Sequence, residues 1–201
     1  MKQTQILYYS HMDTTDQFVY KMLVFRFLNV LHKEYPRFEK WYNNLFIGER
    51  LRSGREIACI TEDGQIVAVS IWKKELEERK ICTLRVAEPF RNQGYGRRLM
   101  EAGFAYLDTD RPFFTICSKN EKQFSGLLQR YGFSACEERR GYYKWYKSEL
   151  VFNGSLPEKE MWINEIKIRN YEDELRRFIG KYGEHFNGRL LEQYLLKEFV
   201  I

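Results

Sequence analysis

Residues 81–107 read as a strand, a glycine- and arginine-rich turn and a helix, and this succession constrains the fold more than any other feature of the chain. Residues 81–86 are strand-like. Arg91, Gly94, Gly96, Arg97 and Arg98 form the turn. Leu99, Met100, Gly103, Phe104 and Leu107 then recur on one helical face at three- and four-residue spacing. Gly94 and Gly96 permit close backbone approach, so successive N–H groups and the start of the helix can face an anion such as a diphosphate. Two glycines and three arginines also make an ordinary strand-to-helix turn with a solvated basic rim. The turn is not a P-loop, because no Gly-Lys-Ser/Thr closes it, and it lacks the third glycine of a dinucleotide fingerprint.

The flanking segments extend the pattern. Residues 4–9 read as a first strand, Asp13 or Thr14 caps a helix to about His32, and Pro36 opens another to about Leu51. Residues 56–61 and 65–72 form a hairpin around Asp63-Gly64, and 73–80 is a charged link. Residues 112–118 read as a buried strand and 120–130 as a short helix with Gly132 as its left-handed cap. Phe124, Leu127, Leu128 and Tyr131 fall at core spacing on that helix. Residues 134–139 and 142–148 make a last antiparallel pair around Gly141.

In this setting the turn resembles the coenzyme A loop of the GCN5-related N-acetyltransferase (GNAT) superfamily, Arg/Gln-x-x-Gly-x-Gly/Ala, through Arg91, Gly94 and Gly96. The lead-in Leu84-Arg85-Val86-Ala87-Glu88-Pro89-Phe90 is similar to the family's fourth strand and the bend after it. The resemblance covers roughly the first three quarters of the chain. It implies an α/β (α+β) fold: a mixed, mostly antiparallel sheet of about seven strands flanked by helices, with the fifth strand splayed from the fourth to leave a pantetheine slot. It also implies acetyl-CoA as co-substrate and acetyl transfer to a primary amine, on a small molecule, a protein or an aminoacyl group.

The same resemblance suggests the site. Backbone N–H groups at Leu84, Arg85 and Val86 would hold the pantetheine and polarise the thioester carbonyl. Arg91, Asn92, Gln93, Gly94, Tyr95, Gly96 and Arg97 would surround the diphosphate, and Asn120 would face the cofactor. Glu88, beside the loop, is the candidate base; Glu75, Glu77 and Glu78 lie in the preceding link, and each also reads as a surface carboxylate. The family's acidic tyrosine falls here on Leu128, which leaves Tyr131 as the candidate acid, Tyr142 or Tyr143 as substitutes, or departure of the thiolate without a dedicated acid.

Two other readings stay open: a non-catalytic acyl-CoA-binding regulatory module, and a toxin-like acetyltransferase of aminoacyl-tRNA. The net charge of +5 suits an anionic cofactor and leaves a nucleic-acid partner open without requiring one. Arg139, Arg140, Lys144 and Lys147, interleaved with Tyr142, Tyr143, Trp145 and Tyr146, read as strand alternation rather than a nucleic-acid patch.

The first helix is apolar around most of its circumference, with Phe18, Val19, Met22, Leu23, Phe25 and Leu28 on several faces. Such a helix expects a second cover beyond the sheet: another subunit in a homodimer, the acceptor, or the C-terminal segment. Residues 1–152 are read as the acetyltransferase domain. Residues 153–201 are read as a mainly helical extension that packs on the domain or a partner. Cys59, Cys82, Cys117 and Cys136 sit in strand-like segments without metal-ligand spacing. They read as buried reduced thiols of a cytoplasmic protein, and no metal, signal peptide or membrane span is expected.

Overall fold

The computed structural model describes residues 4–46 and 54–157. Its elements belong to one unit, Met1–Leu156. They run β1 (Thr4–Tyr8), α1 (Thr14–Leu28), α2 (Phe38–Asn44), β2 (Arg55–Glu62), β3 (Gln65–Lys74), β4 (Arg79–Val86), α3 (Tyr95–Leu107), β5 (Phe114–Cys117), α4 (Glu121–Tyr131), β6 (Glu137–Arg140) and β7 (Ser148–Phe152). The helices expected beyond Pro157, and the reach of the second helix toward Leu51, lie outside the described residues.

Among the described residues, seven strands form two antiparallel sheets, β1-β2-β3-β4 and β5-β7-β6. One parallel bridge joins them, Lys80 with Phe113, in which Phe113 N–H donates to Arg79 O at 2.7 Å and Ile81 N–H donates to Phe113 O at 2.9 Å. Beyond that bridge β4 and β5 part. In β4 the register with β3 slips between Ile71 and Trp72, so that Cys82 is passed over as the extra residue of a β-bulge. A bulge bends its strand and leaves one residue unpaired, and this one lies just where the strands separate.

Each side of the sheet has its own core. On one face α3 and α4 pack Leu99, Met100, Leu107 and Leu128 on Trp72, Ile81, Phe114 and Ile116. Gly103 is required there, since a Cβ would come within 2.8 Å of Trp72 Nε1. On the other face α1 and α2 pack Val24, Leu28, Phe38 and Tyr42 on Ile57, Cys59, Val69 and Ile71. Asp13 caps α1 by accepting from Asp16 N–H at 2.9 Å. Helix α4 closes on Gly132 at φ 61°, with Phe133 N–H returning to Leu128 O at 2.9 Å.

The expected hairpin forms, with Asp63 at φ 49° and Gly64 at φ 80° as a two-residue turn requires. Three expectations are corrected. Helix α1 stops at Leu28 and continues to Lys33 only as a 3-10 turn. The last strand is 148–152, not 142–148: residues 141–147 fold into a loop closed by Gly141 N–H on Lys147 O at 2.7 Å. Cys136 is exposed rather than buried, with its Sγ 3.1 Å from Gly154 O; all four cysteines are free.

Candidate active site

Where β4 and β5 diverge, a cleft of about 910 Å³ runs through the sheet. Its walls come from the outer edge of β4, the turn before α3, β5, the start of α4, and residues 30–35 after α1. Alternation decides which side chains face which opening. Phe114 and Ile116 belong to the α3/α4 core, so Thr115 and Cys117 point to the opposite face. Leu84 and Val86 likewise pack toward α3, whereas Cys82 packs with the α1/α2 core and Arg85 reaches Phe27. The cleft therefore has an α3/α4 mouth and an α1/α2 mouth.

The glycine turn stands at the first mouth. Asn92 at φ 60° and Gly94 at φ 84° both take the left-handed conformation, and α3 follows directly. The first intrahelical bond of α3 runs from Arg98 N–H to Gly94 O at 3.0 Å. The amides of Gly96 and Arg97 lie ahead of it and point out of the helix end, as in an anion-binding helix start. Arg91, Asn92, Gly94, Gly96 and Arg97 all line the cleft.

Along the wall, the ladder sets what β4 offers. Ala87 N–H donates to Val67 O at 2.8 Å, so the alternating pattern turns the peptide groups of Leu84 and Val86 toward the edge facing β5. With β5 splayed away, that edge borders open space. Arg85 contributes its side chain to the fold: its Nη1 donates to Phe27 O at 2.8 Å and its guanidinium lies 4.2 Å over the Phe27 ring. Burial and Arg91 hold its pKa below the usual arginine value.

Of the other residues singled out in the sequence, Glu88 and Asn120 also line the cleft, Glu88 in the 3-10 turn between β4 and the glycine turn. Gln93 turns back to donate to Pro89 O at 3.0 Å, and Tyr95 is buried with its hydroxyl donating to Glu62. Only their main chains are left to serve the turn. Tyr131 does not line the cleft: its hydroxyl donates to Glu101 at 3.0 Å and its ring packs edge-on to Phe104.

At the second mouth the structure assembles groups that sequence reasoning did not place together. Glu34 accepts from Lys119 and Lys147 at 2.5 Å each; burial opposes its charge, but the two ammonium groups hold its carboxyl below the ordinary value. Tyr35 packs edge-on against Tyr143 at 5.0 Å. Glu149, on β7, is only 3% exposed and its Oε2 has no hydrogen-bond partner. Burial pushes its carboxyl up to about 7, with the Glu34 charge adding and Thr115 and Lys147 opposing. The thiols of Cys82 and Cys117 are raised as well, both chiefly by burial.

Comparison with known proteins identifies the fold. A family model described as the acetyltransferase (GNAT) family matches residues 17–133. The ribosomal-protein-S18-alanine N-acetyltransferase from Escherichia coli shares the fold at TM-score 0.53 and 19% identity, over 80% of this chain and all of that one. A GNAT family acetyltransferase from Bacillus cereus matches at TM-score 0.52 and 12% identity, over 75% of this chain and 95% of that one. A GNAT family acetyltransferase from Elizabethkingia anophelis, solved with acetyl-CoA bound, matches at TM-score 0.50 and 16% identity, over 74% and 95%. No curated protein sequence matches the chain significantly.

Proposed function

This chain belongs to the GNAT acetyltransferase family, whose members use acetyl-CoA, and on that premise we propose that it transfers the acetyl group of acetyl-CoA to a primary amine. The observation that carries the reading is the cleft itself, with an anion-binding helix start at one mouth, an unpaired strand edge along its wall and a polar cluster at the other mouth. The diphosphate sits on the amides of residues 94–97 with Arg91 and Arg97 beside it. The pantetheine lies along Leu84 and Val86, whose peptide groups can take the place of a neighbouring strand. The thioester then reaches the bulge at Cys82, beside the edge-facing Leu84 N–H, which can polarise its carbonyl.

Direct transfer is favoured over a covalent detour through the protein. A cysteine nucleophile must be a thiolate, and the thiols of Cys82 and Cys117 are both pushed upward. On this reading Glu88 lines the cleft beside the glycine turn, at the diphosphate end, and Tyr131 stands outside the cleft with its hydroxyl on Glu101, so the proton transfers are assigned to neither. The thiolate leaves without a dedicated acid, as a thiol of ordinary pKa allows.

Release of coenzyme A from acetyl-CoA, followed with a panel of primary amines, tests the proposal. Gly94→Glu puts a carboxylate and a side chain into a left-handed position at the anion site. It is expected to abolish both release and calorimetric binding of acetyl-CoA. Tight binding without turnover on any amine would instead mark an acyl-CoA-binding module. Absence of binding would overturn the assignment of the turn.

A further inference from the structure

Among the described residues three carboxylates in strands are buried, and two are accounted for by structure. Glu56 accepts from Ser10 Oγ at 2.5 Å, Ser10 N–H at 3.2 Å and Ile57 N–H at 2.9 Å; Glu62 accepts from Tyr95. Glu149 is different, because an oxygen of its carboxyl is buried without a partner. A buried polar atom left without a partner is destabilising, so its presence calls for a reason other than packing.

Its position supplies one. Glu149 is directly across the β5–β7 ladder from Cys117, and Thr115 is paired with Val151 next to it, so the three side chains share one face. Thr115 and Cys117 are walls of the cleft, on the α1/α2 side where the acceptor would approach. Thr115 and Glu149 are diagonal neighbours on that face, two positions apart along the β5–β7 ladder, and the Thr115 hydroxyl acts on both the Glu149 carboxyl and the Tyr143 phenol. The Thr115 hydroxyl can donate to the Glu149 carboxylate.

Resting on the acetyltransferase reading, we propose that Glu149 is the terminal proton acceptor of the transfer, reached from the acceptor nitrogen through the Thr115 hydroxyl. The acceptor ammonium gives one proton to the Thr115 oxygen as the Thr115 proton passes to the Glu149 carboxylate. The free amine attacks the thioester carbon, the C–N bond forms and the C–S bond breaks. The second proton leaves the nitrogen for the departing thiolate through solvent, giving amide and coenzyme A thiol.

The surrounding charges separate the roles of the two acceptor-face carboxylates. Glu34 is clamped by Lys119 and Lys147 and stays ionised, whereas Glu149 faces Glu34, Lys147, Tyr35, Tyr143 and Cys117. Arg139, opposite Glu149 on β6, is engaged by Glu137. Two neighbouring carboxyls whose environments push them apart are how a site divides fixed charge from proton transfer.

The test is the pH profile of kcat/KM for wild type, Glu149→Gln, Glu149→Asp and Thr115→Val. The amines are a peptide N-terminus, a lysine side-chain peptide and a polyamine. Glu149→Gln should lose about 10²- to 10³-fold at neutral pH, with the deficit narrowing as alkali supplies free amine and with acetyl-CoA binding by calorimetry unchanged. Glu149→Asp should recover part of the rate. Thr115→Val should reproduce the Gln profile, and it decides the matter if Glu149→Gln fails to fold. Turnover by wild type with a variant profile of the same shape and inflection overturns this proposal alone. No turnover by wild type on any amine overturns the acetyltransferase reading, and this proposal with it.

Discussion

Two carboxyls at the second mouth of the cleft contribute to stability with opposite dependence on pH. Glu149 in the folded protein is raised from an ordinary 4.5 to about 7, first by burial. The folded state therefore holds its proton more tightly than the unfolded chain does. Its stabilising contribution is complete below pH 4.5 and is lost as pH rises through 7. Glu34 is lowered, so its contribution is present above 4.5 and is lost as acid protonates it and releases Lys119 and Lys147. Glu149→Gln, permanently neutral, should melt higher relative to wild type at pH 8 than at pH 5, by an increment on the order of 2 kcal/mol. Glu34→Gln should lose stability at pH 7 and approach wild type at pH 3. Thermal melts at these pH values decide it, and a Glu149→Gln increment that does not grow with pH would contradict a buried, reluctantly ionised carboxyl.

At the scale of elements, α1 is apolar around most of its circumference, and among the described residues only one of its faces is covered. Tyr20, Val24 and Leu28 are buried on the sheet, while Phe18, Val19, Met22 and Leu23 stay more than half exposed. If that outer face is truly at the surface, Met22→Ser should change stability by no more than about 0.5 kcal/mol, whereas Leu28→Ala should cost about 2–5 kcal/mol. Urea melts compare the two. A cost for Met22→Ser approaching that of Leu28→Ala would mean the face is covered in solution. The elements most legible in the sequence were those with local signals: the Asp63-Gly64 hairpin, the apolar stripe of α3 and the Gly132 cap are each fixed by a few neighbouring residues. Tyr142 to Tyr146 misled because aromatic alternation favours a strand, but Gly141 at φ 74° and its bond to Lys147 fold the segment into a loop. Glu149 was illegible for a related reason. A lone glutamate before Leu150, Val151 and Phe152 announces an inward carboxylate only once the strand's true register is known.

Among the described residues, two sheets are joined by one parallel bridge, with a cleft between them that is walled on one side by an open strand edge. That division has an energetic consequence. A ligand that lies along β4 and touches the helix starts adds contacts across the splay to those the shared α3/α4 core already makes, and it binds only the folded form. At a hundredfold excess over its dissociation constant, acetyl-CoA should add about 2.7 kcal/mol to the unfolding free energy. For a chain of this size that is a rise in Tm of roughly 5–10 °C. The rise should depend on the turn, so that Gly94→Glu shows none. Its location should be readable by hydrogen exchange: the amides of Leu84 and Val86, turned to the open edge, and those of Gly96 and Arg97, ahead of the first helical bond, exchange readily without ligand and should be protected with it. The amides of β2 and of the β3 centre, already paired on both sides, should change little. A thermal shift without protection at these four amides would place the ligand elsewhere on the molecule. Protection at Gly96 and Arg97 alone would mean that the diphosphate is held while the acyl arm never enters the splay between β4 and β5.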